Sequence, residues 1–257
     1  MMPLSRVVLP ETLDSLAESD PAAQRARRDL QRVHRVMRTR STLLHTLRAV
    51  DMSLPVRRHG AALRVLELGA GDGSLLLGVA RALAPDWPRV QLTLLDRQAL
   101  VLPATLAAYA QLGWRAQPLQ ADVLDWAAPQ HGAAGPGAQR WDVIIANLFL
   151  HHFEGVYLAR LLGAVAARCQ RFVACEPRRS TVALLASHAV GLIGANAVTR
   201  QDAVLSVHAG FRATELTAAW PGPPAAWLLR ERSAGLFGHS FCADRTGTTR
   251  CAATSMR

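Results

Sequence analysis

The chain has 257 residues, of which 50% are apolar and 19% are charged, so it is long and apolar enough to bury a sizeable core. Its net charge of +10 would by itself suggest an anionic partner such as nucleic acid, but all 29 basic residues are arginine, and an arginine bias weakens that inference because it can reflect a GC-rich genome. The absence of lysine excludes enzymes that need a lysine Schiff base or a GxxxxGK[ST] phosphate loop.

The cysteines and the N-terminus indicate a cytoplasmic protein. Cys169, Cys175, Cys242 and Cys251 lack the spacing of a zinc site or of a disulfide framework, and we predict no metal site. Acidic residues lie where a secretory signal needs an apolar core, and the longest apolar stretch, 143–150, is too short to span a membrane. The bias towards arginine, alanine and glycine is typical of a GC-rich bacterial genome.

The predicted elements divide the chain into a helical extension and an α/β domain. Residues 23–50 carry apolar side chains at helical spacing, which predicts one broken or two consecutive amphipathic helices. We assign residues 1–60 to an N-terminal extension that acts as a lid, and residues 61–243 to the main domain. There, short apolar strands alternate with helices, a pattern typical of a parallel sheet. Strands are predicted at 64–68, 91–95, 115–119, 142–146 and 171–175, and helices at 73–84, 97–111, 154–168 and 178–190.

The C-terminal part predicts two strands around a turn at 233–235, so the sheet ends in an antiparallel hairpin. The stretch 131–140 is rich in glycine, alanine and proline and is predicted to be a surface loop. Residues 244–257 lack apolar periodicity and are predicted to be a disordered tail. The fold class is therefore α/β, with a doubly wound, mostly parallel, seven-stranded sheet.

The strongest motif is VLELGAGDGSLLL (65–77), in which an apolar strand is followed by three glycines and a helix. Gly69 and Gly71 allow a tight turn and the close approach of a ligand at the carboxyl end of the first strand, where open α/β sheets bind nucleotides. A dinucleotide site needs GxGxxG, whereas this loop is GxGxG and follows an acid, Glu67. The pattern favours a ligand that carries an ammonium group and no pyrophosphate.

Two further acids follow the ends of the second and third predicted strands. Asp96 lies where a carboxylate accepts hydrogen bonds from a ribose diol. Asp122 can accept one from the exocyclic amine of adenine, with Val123 and Trp126 in apolar contact with the base. Together with Glu67, these acids describe a ligand with an amino acid, a ribose and an adenine.

With these motifs, the segment from about Leu63 to Pro177 resembles the class I S-adenosylmethionine-dependent methyltransferases, and WDVIIANLFLHHF (141–153) matches their fourth-strand motif. The resemblance implies a Rossmann-like fold and S-adenosylmethionine as cofactor, with its methionine part in the glycine loop, its ribose on Asp96 and its adenine on Asp122. The cofactor-binding residues implied are Glu67, Gly69, Ala70, Gly71, Asp72, Gly73, Asp96, Arg97, Asp122, Val123 and Asn147. The ends of strands four and five resemble small-molecule methyltransferases of quinone and bacterial secondary metabolism.

The predicted catalytic residues are His151 and His152, which follow the fourth strand. A neutral imidazole there can take the proton of a phenol or hydroxyl as the methyl group is transferred, although one of two adjacent histidines commonly packs against cofactor or backbone. Glu176 can orient the substrate or pair with Arg178 or Arg179, and we favour the ion pair. We interpret Asp142 as a strand-start residue and Tyr157 as a packing residue.

The predicted function is methyl transfer to a small molecule, as O- or C-methylation of a phenolic, quinone or polyketide-like metabolite. The net charge keeps open a tRNA or rRNA methyltransferase, although the Asn/Asp-Pro-Pro-Tyr/Phe motif of base-amine enzymes is replaced by Asn147-Leu-Phe-Leu. The intact glycine loop argues against a non-catalytic binding protein of the same fold. The loop spacing and the lack of a Tyr-x-x-x-Lys pair argue against an NAD-dependent oxidoreductase.

Overall fold

The computed structural model describes residues 4–48, 61–128 and 140–246. In chain order the elements are α1 (Thr12–Ser15), α2 (Pro21–Val36), α3 (Thr39–Arg48), β1 (Leu63–Leu68), α4 (Ser74–Leu83), β2 (Val90–Asp96), α5 (Pro103–Gln111), β3 (Trp114–Gln120), α6 (Val123–Trp126), β4 (Trp141–Asn147), α7 (Gly155–Arg168), β5 (Cys169–Pro177), α8 (Thr181–His188), α9 (Ala197–Ala209), α10 (Glu215–Ala219), β6 (Trp227–Ala234) and β7 (Gly238–Arg245). Short 3₁₀ turns lie at Leu150–His152, Val190–Ile193 and Pro224–Ala226.

The strands form one seven-stranded sheet in the order β3-β2-β1-β4-β5-β7-β6. Neighbouring strands are parallel except at β7, which is antiparallel to both β5 and β6. The predicted fold class is thereby confirmed. Because the chain winds outward from β1 in one direction and from β4 in the other, the crevice between the loops that follow these strands is the expected ligand site.

The strand predictions are confirmed, and each parallel strand extends one or two residues beyond one or both predicted ends. The predicted hairpin turn is wrong by two residues, because Ser233 pairs with His239 and Ala234 with Gly238, which places the turn at 235–237. Gly235 opens this turn with a φ of +70°, a conformation that glycine adopts without strain. Strand β7 continues to Arg245, inside the predicted tail. The rest of that tail and most of the predicted loop at 131–140 lie outside the described residues.

Two predicted helices begin later than expected. The helix predicted from residue 97 begins at Pro103, where proline occupies the first turn because it needs no intrahelical N–H partner. The helix predicted from residue 178 begins after Ser180, whose hydroxyl accepts a hydrogen bond from the Ala183 N–H. The chain between each strand and its helix is therefore free to form loops at the carboxyl edge of the sheet.

The two faces of the sheet carry separate apolar layers, as alternation along β4 shows. Val143 and Ile145 pack with α3, α4 and α5, whereas Ile144 and Ala146 pack with α6, α7 and α10. Helix α3 belongs fully to the first layer, because Leu43 and Leu47 are completely buried in it. The predicted boundary at residue 60 therefore lies between two parts of the chain that share one core.

The N-terminal region forms two consecutive helices, α2 and α3, and not one broken helix, which was the other structure that the sequence allowed. Asp20 caps α2 by accepting a hydrogen bond from the Ala22 N–H at 2.6 Å, and the chain turns at Arg38, which has a φ of +55°. Helix α2 is joined to α9 through the buried Asp29 carboxylate, which accepts a hydrogen bond from the Asn196 N–H at 2.8 Å. Among the described helices, none combines the length and apolar character needed to cross a membrane.

Candidate functional site

A cavity of about 850 Å³ lies at the carboxyl ends of β1, β2 and β4, and we call it the crevice. The loops after these strands form one side of it, and residues 8–15, which we call the N-terminal segment, form the other together with α2. The predicted site residues that line it are Glu67, Gly69, Ala70, Gly71, Asp72, Asp96, Arg97, Asp122, Val123, Asn147, His151 and His152. Gly73 does not line it, and its carbonyl oxygen instead accepts a hydrogen bond from the buried Tyr109 hydroxyl at 2.8 Å.

The glycine loop leaves room for a ligand at one position and for a side chain at another. Gly69 and Gly71 have φ values of +65° and +55°. A Cβ atom on Gly69 would lie 2.2 Å from the ring of Phe149, so this glycine allows Phe149 to pack against the loop. At Gly71, apart from the glycine itself and its two chain neighbours, no heavy atom of the described residues lies within 4 Å of the same position. Gly71 is therefore the glycine that leaves space for a ligand.

Two residues that line the crevice each have a buried oxygen atom without a hydrogen-bond partner in the described residues, Oε2 of Glu67 and Oδ1 of Asn147. Burial, together with the charges of Asp72 and Asp96, raises the pKa of Glu67 well above its usual value. Because unpaired buried acceptors are costly, both oxygens are suited to receive hydrogen bonds from a ligand. They fit the ammonium of S-adenosylmethionine, whose positive charge would favour the ionised form of Glu67.

The two other acids at strand ends are held by backbone amides. The Asp96 carboxylate accepts hydrogen bonds from the Gly71 N–H at 2.8 Å and the Gln98 N–H at 2.9 Å, one on each oxygen. Asp122 caps α6 by accepting one from the Leu124 N–H at 2.7 Å. Since each carboxylate oxygen has two lone pairs, both side chains keep acceptor capacity for ribose hydroxyls or an adenine amine.

Arg97 connects the crevice to the N-terminal segment. Its guanidinium donates a hydrogen bond to the Asp14 carbonyl oxygen and lies 3.6 Å from the Asp14 carboxylate. Nearby, the Glu18 carboxylate accepts a hydrogen bond from the Ala99 N–H at 2.8 Å. These contacts fix the chain around residues 14–18 beside the loop that follows β2. The predicted contact of Arg97 with the cofactor stays a prediction.

His151 is buried between two glutamates. Its Nδ1 lies 2.8 Å from Oε2 of Glu176, and its Nε2 lies 3.3 Å from Oε1 of Glu11. Burial by itself would lower the pKa of His151, but the hydrogen bonds to these carboxylates and their charges raise it to about 9. At neutral pH the imidazole therefore carries a proton on both nitrogens.

His152 has a different environment, although its ring centroid lies only 4.3 Å from that of His151. Burial and the neighbouring His151 lower the pKa of His152, so its ring is neutral at pH 7. Its Nδ1 lies 3.3 Å from the Asp14 carboxylate. Both histidines thus face acidic residues of the N-terminal segment, and the role of proton acceptor predicted for them stays a prediction.

Sequence reasoning missed the residues that reach the histidines from distant parts of the chain. Glu11 accepts a hydrogen bond from the Ser206 hydroxyl of α9 as well as contacting His151. The segment is held there because the Asp202 carboxylate accepts hydrogen bonds from the N–H groups of Thr12 and Leu13 at 2.8 and 2.9 Å. No spacing motif links these positions, and the only available signal was the cluster of acids in an otherwise basic N-terminal region.

The predicted ion pair of Glu176 with Arg178 or Arg179 is wrong. Glu176 is completely buried and accepts hydrogen bonds from the N–H groups of the loop after β4, at 3.1 Å from Phe149, 2.9 Å from Leu150 and 3.3 Å from His151. Arg179 instead forms an ion pair with Glu215. Glu176 thus holds the histidine loop in place, because β5 runs beside β4 and ends next to that loop.

Two interpretations of neighbouring residues have opposite outcomes. Tyr157 is 55% exposed and lines the crevice, so the prediction that it packs within the protein is wrong. Asp142 is a structural residue, as predicted, because its carboxylate accepts a hydrogen bond from the Arg64 N–H at 2.7 Å and so links β4 to β1.

Cys169 and Cys175 are buried as predicted, and burial raises the pKa of both thiols, that of Cys175 to about 12.

Comparison with known proteins identifies a methyltransferase domain in the chain. Residues 66–191, which run from β1 to just beyond α8, match the family model described as a methyltransferase domain. No curated protein matches the chain. Similar solved structures include an O-methyltransferase family protein from Burkholderia thailandensis, with 20% identity and a TM-score of 0.47 over 81% of this chain and 57% of that one. Magnesium protoporphyrin IX methyltransferase from Synechocystis PCC 6803 has 13% identity and a TM-score of 0.49 over 91% of each chain.

The family match covers the elements that build the crevice. The glycine loop, Asp96, Asp122 and the histidine loop all lie within residues 66–191, and the unpaired oxygens of Glu67 and Asn147 fit the ligand of that family. The chain therefore contains a class I methyltransferase domain, and its cofactor is S-adenosylmethionine.

Proposed function

We propose that the protein methylates a small molecule with an apolar body and a polar atom that receives the methyl group. The observation that supports this proposal is a second cavity, of about 120 Å³, beside the crevice. The two cavities share the lining residues Glu11, Leu13, Leu30, Leu148 and Ser206. An acceptor can therefore place its apolar part in the second cavity and its reactive atom in the crevice.

The walls of the second cavity are apolar. They come from α2, α8, α9 and the 3₁₀ turn after α8, with side chains that include Val33, Met37, Val190 and Val207. The carboxylate of Asp202 also lines the cavity, but it is already paired with backbone N–H groups of the N-terminal segment. An apolar cavity of roughly 150 Å³ holds a benzene molecule, so this one suits about one ring. Its size and lining favour a phenolic, quinone or polyketide-like acceptor.

The residues of the crevice take separate parts in holding the cofactor. Glu67 and the open space at Gly71 receive its amino-acid end, Asp96 its ribose, and Asp122 and Val123 its adenine. When bound, S-adenosylmethionine supplies an electrophilic methyl group. The protein then acts mainly by positioning two reactants and excluding water, an effect that supplies up to roughly 7–11 kcal/mol in favourable cases.

The cofactor assignments are tested by calorimetric titration with S-adenosylhomocysteine. We expect micromolar binding by the wild type, no binding of NAD, and at least a tenfold loss of affinity in Asp96→Asn and Glu67→Gln, because each variant loses a charge-assisted hydrogen bond. Asp125→Asn is the matched control, since Asp125 is exposed and lies outside the crevice lining. Wild-type affinity in both site variants would contradict the assignments.

The acceptor class is tested by uptake of labelled methyl groups into phenols, quinones, polyketides and tRNA. Val33 lines the second cavity and not the crevice, so Val33→Trp is expected to raise the acceptor KM while leaving the affinity for S-adenosylhomocysteine unchanged. Val182→Trp is the control, because Val182 is exposed and lies outside both cavities. Methylation of tRNA alone, or equal KM values in the two variants, would overturn the proposal.

A further inference from the structure

A cluster of Glu11, His151 and His152 lies where the crevice meets the second cavity. Each of these residues offers one nitrogen or oxygen atom, and the three atoms lie within 4.8 Å of one another. Glu11 comes from the N-terminal segment, and the histidines from the 3₁₀ turn after β4. All three line the crevice, so the cluster is open to a small molecule on that side.

One distance within the cluster, that between His151 and Glu11, matches the separation of two ligands around one ion. The Nε2 atom of His151 lies 3.3 Å from Oε1 of Glu11. Two ligands that each lie about 2.0–2.2 Å from a metal ion, at tetrahedral or octahedral angles, are about 2.8–3.6 Å apart. The rings of His151 and His152, with centroids 4.3 Å apart, are likewise close enough to contact one ion.

Neighbouring side chains form hydrogen bonds that hold the proposed ligands in place, as is usual in protein metal sites. Metal-binding histidines generally donate their second ring N–H to a carboxylate, which fixes the ring and directs the other nitrogen at the ion. Glu176 does this for His151, with its Oε2 at 2.8 Å from Nδ1. Glu11 is held by a hydrogen bond from Ser206. Both supporting residues come from elements other than those that carry the ligands.

The local charge also favours a divalent cation. Glu11 and Glu176 contribute two buried or nearly buried carboxylates beside the two imidazoles. These two carboxylates give the cluster and its immediate surroundings an excess of negative charge. A divalent ion bound beside them would balance the charges of these two carboxylates, which lowers the cost of their burial.

We propose that Glu11, His151 and His152 bind a divalent transition-metal ion. Two imidazoles and one carboxylate suit Zn²⁺, Fe²⁺, Co²⁺ or Mn²⁺ better than Ca²⁺ or Mg²⁺, which prefer oxygen ligands alone. The remaining coordination positions face the crevice and take water or an oxygen atom of the acceptor. This last role rests on the proposed function, whereas metal binding itself does not.

The test uses the full chain without a histidine tag, freed of metal by a chelator and then titrated with Co²⁺ while its visible absorption is followed. We expect one Co²⁺ per chain, displaced by Zn²⁺. Glu11→Gln and His152→Asn are each expected to weaken binding at least 100-fold. His188→Asn, which changes an exposed histidine on α8, is the control and is expected to bind as the wild type does.

Binding well below one ion per chain, or wild-type affinity in both Glu11→Gln and His152→Asn, would overturn the metal site. Titration of the same samples with S-adenosylhomocysteine shows whether each variant remains folded. Methyl transfer by a protein that binds no metal would refute the site and leave the proposed function intact. Metal binding without methyl transfer to any small acceptor would support the metal site and refute the proposed function.

Discussion

Glu176→Gln is expected to destabilise the protein strongly, although it replaces only one oxygen atom by an NH₂ group. The Glu176 side chain is completely buried and organises the loop after β4 from the neighbouring strand. One oxygen accepts the N–H groups of Phe149 and Leu150. The other accepts the N–H of His151 and contacts its ring at 2.8 Å. The substitution therefore acts on four hydrogen bonds at once.

The size of the effect follows from what glutamine can replace. The carbonyl oxygen of glutamine can accept the hydrogen bonds that one of the two carboxylate oxygens accepts now. The NH₂ group then takes the place of the other oxygen and faces two hydrogen-bond donors, as long as His151 is protonated. Breaking a buried charge pair by removing one partner costs about 3–5 kcal/mol. Because the ring can lose its proton and accept a hydrogen bond, we expect a value near the lower end, about 3 kcal/mol. For a protein of this size that corresponds to a fall in Tm of roughly 6–12 °C.

Urea unfolding followed by circular dichroism measures this loss as a lower midpoint with an unchanged m value. Glu154→Gln is the matched control, since Glu154 is exposed, makes no capping hydrogen bond and should change stability by no more than about 0.5 kcal/mol. A loss below about 1 kcal/mol in Glu176→Gln would refute the argument, because the carboxylate would then not be what holds the loop.

Gly71→Val is expected to reduce the affinity for S-adenosylhomocysteine at least 100-fold, because its side chain would enter open space in the crevice at a φ of +55°; unchanged affinity by calorimetry would contradict this. Burial lowers the pKa of His34 to about 4 from 6.5, so the unfolded chain binds its proton more tightly. The contribution of His34 to the free energy of unfolding is complete above pH 6.5 and falls by up to about 3 kcal/mol towards pH 4. Urea unfolding should show a smaller loss of stability over this pH range in His34→Gln than in the wild type. Asp142→Ala should cost about 1–2 kcal/mol in the same assay, because it leaves the Arg64 N–H without its acceptor; a change below that range would mean that water replaces the carboxylate.

Much of the fold could be predicted because its signals are local. Apolar runs of strand length between helical patterns indicated β1 to β5, and the parallel order follows from their alternation with helices. The ends of these elements were less predictable. The hairpin turn is displaced to 235–237, since pairing with β7 continues through Ser233 and Ala234, and no local pattern shows how far two strands remain paired.

By itself, the sequence determined the doubly wound sheet and the glycine loop, and it brought Glu67, Asp96 and Asp122 to one crevice, because parallel strands end at the same edge of a sheet. Only the tertiary structure decided what surrounds the histidines. Glu11 contacts His151, which is 140 positions away in the sequence, and Ser206, which is 195 positions away. These contacts depend on where the N-terminal segment and α9 lie on the finished sheet, which no spacing within either segment specifies.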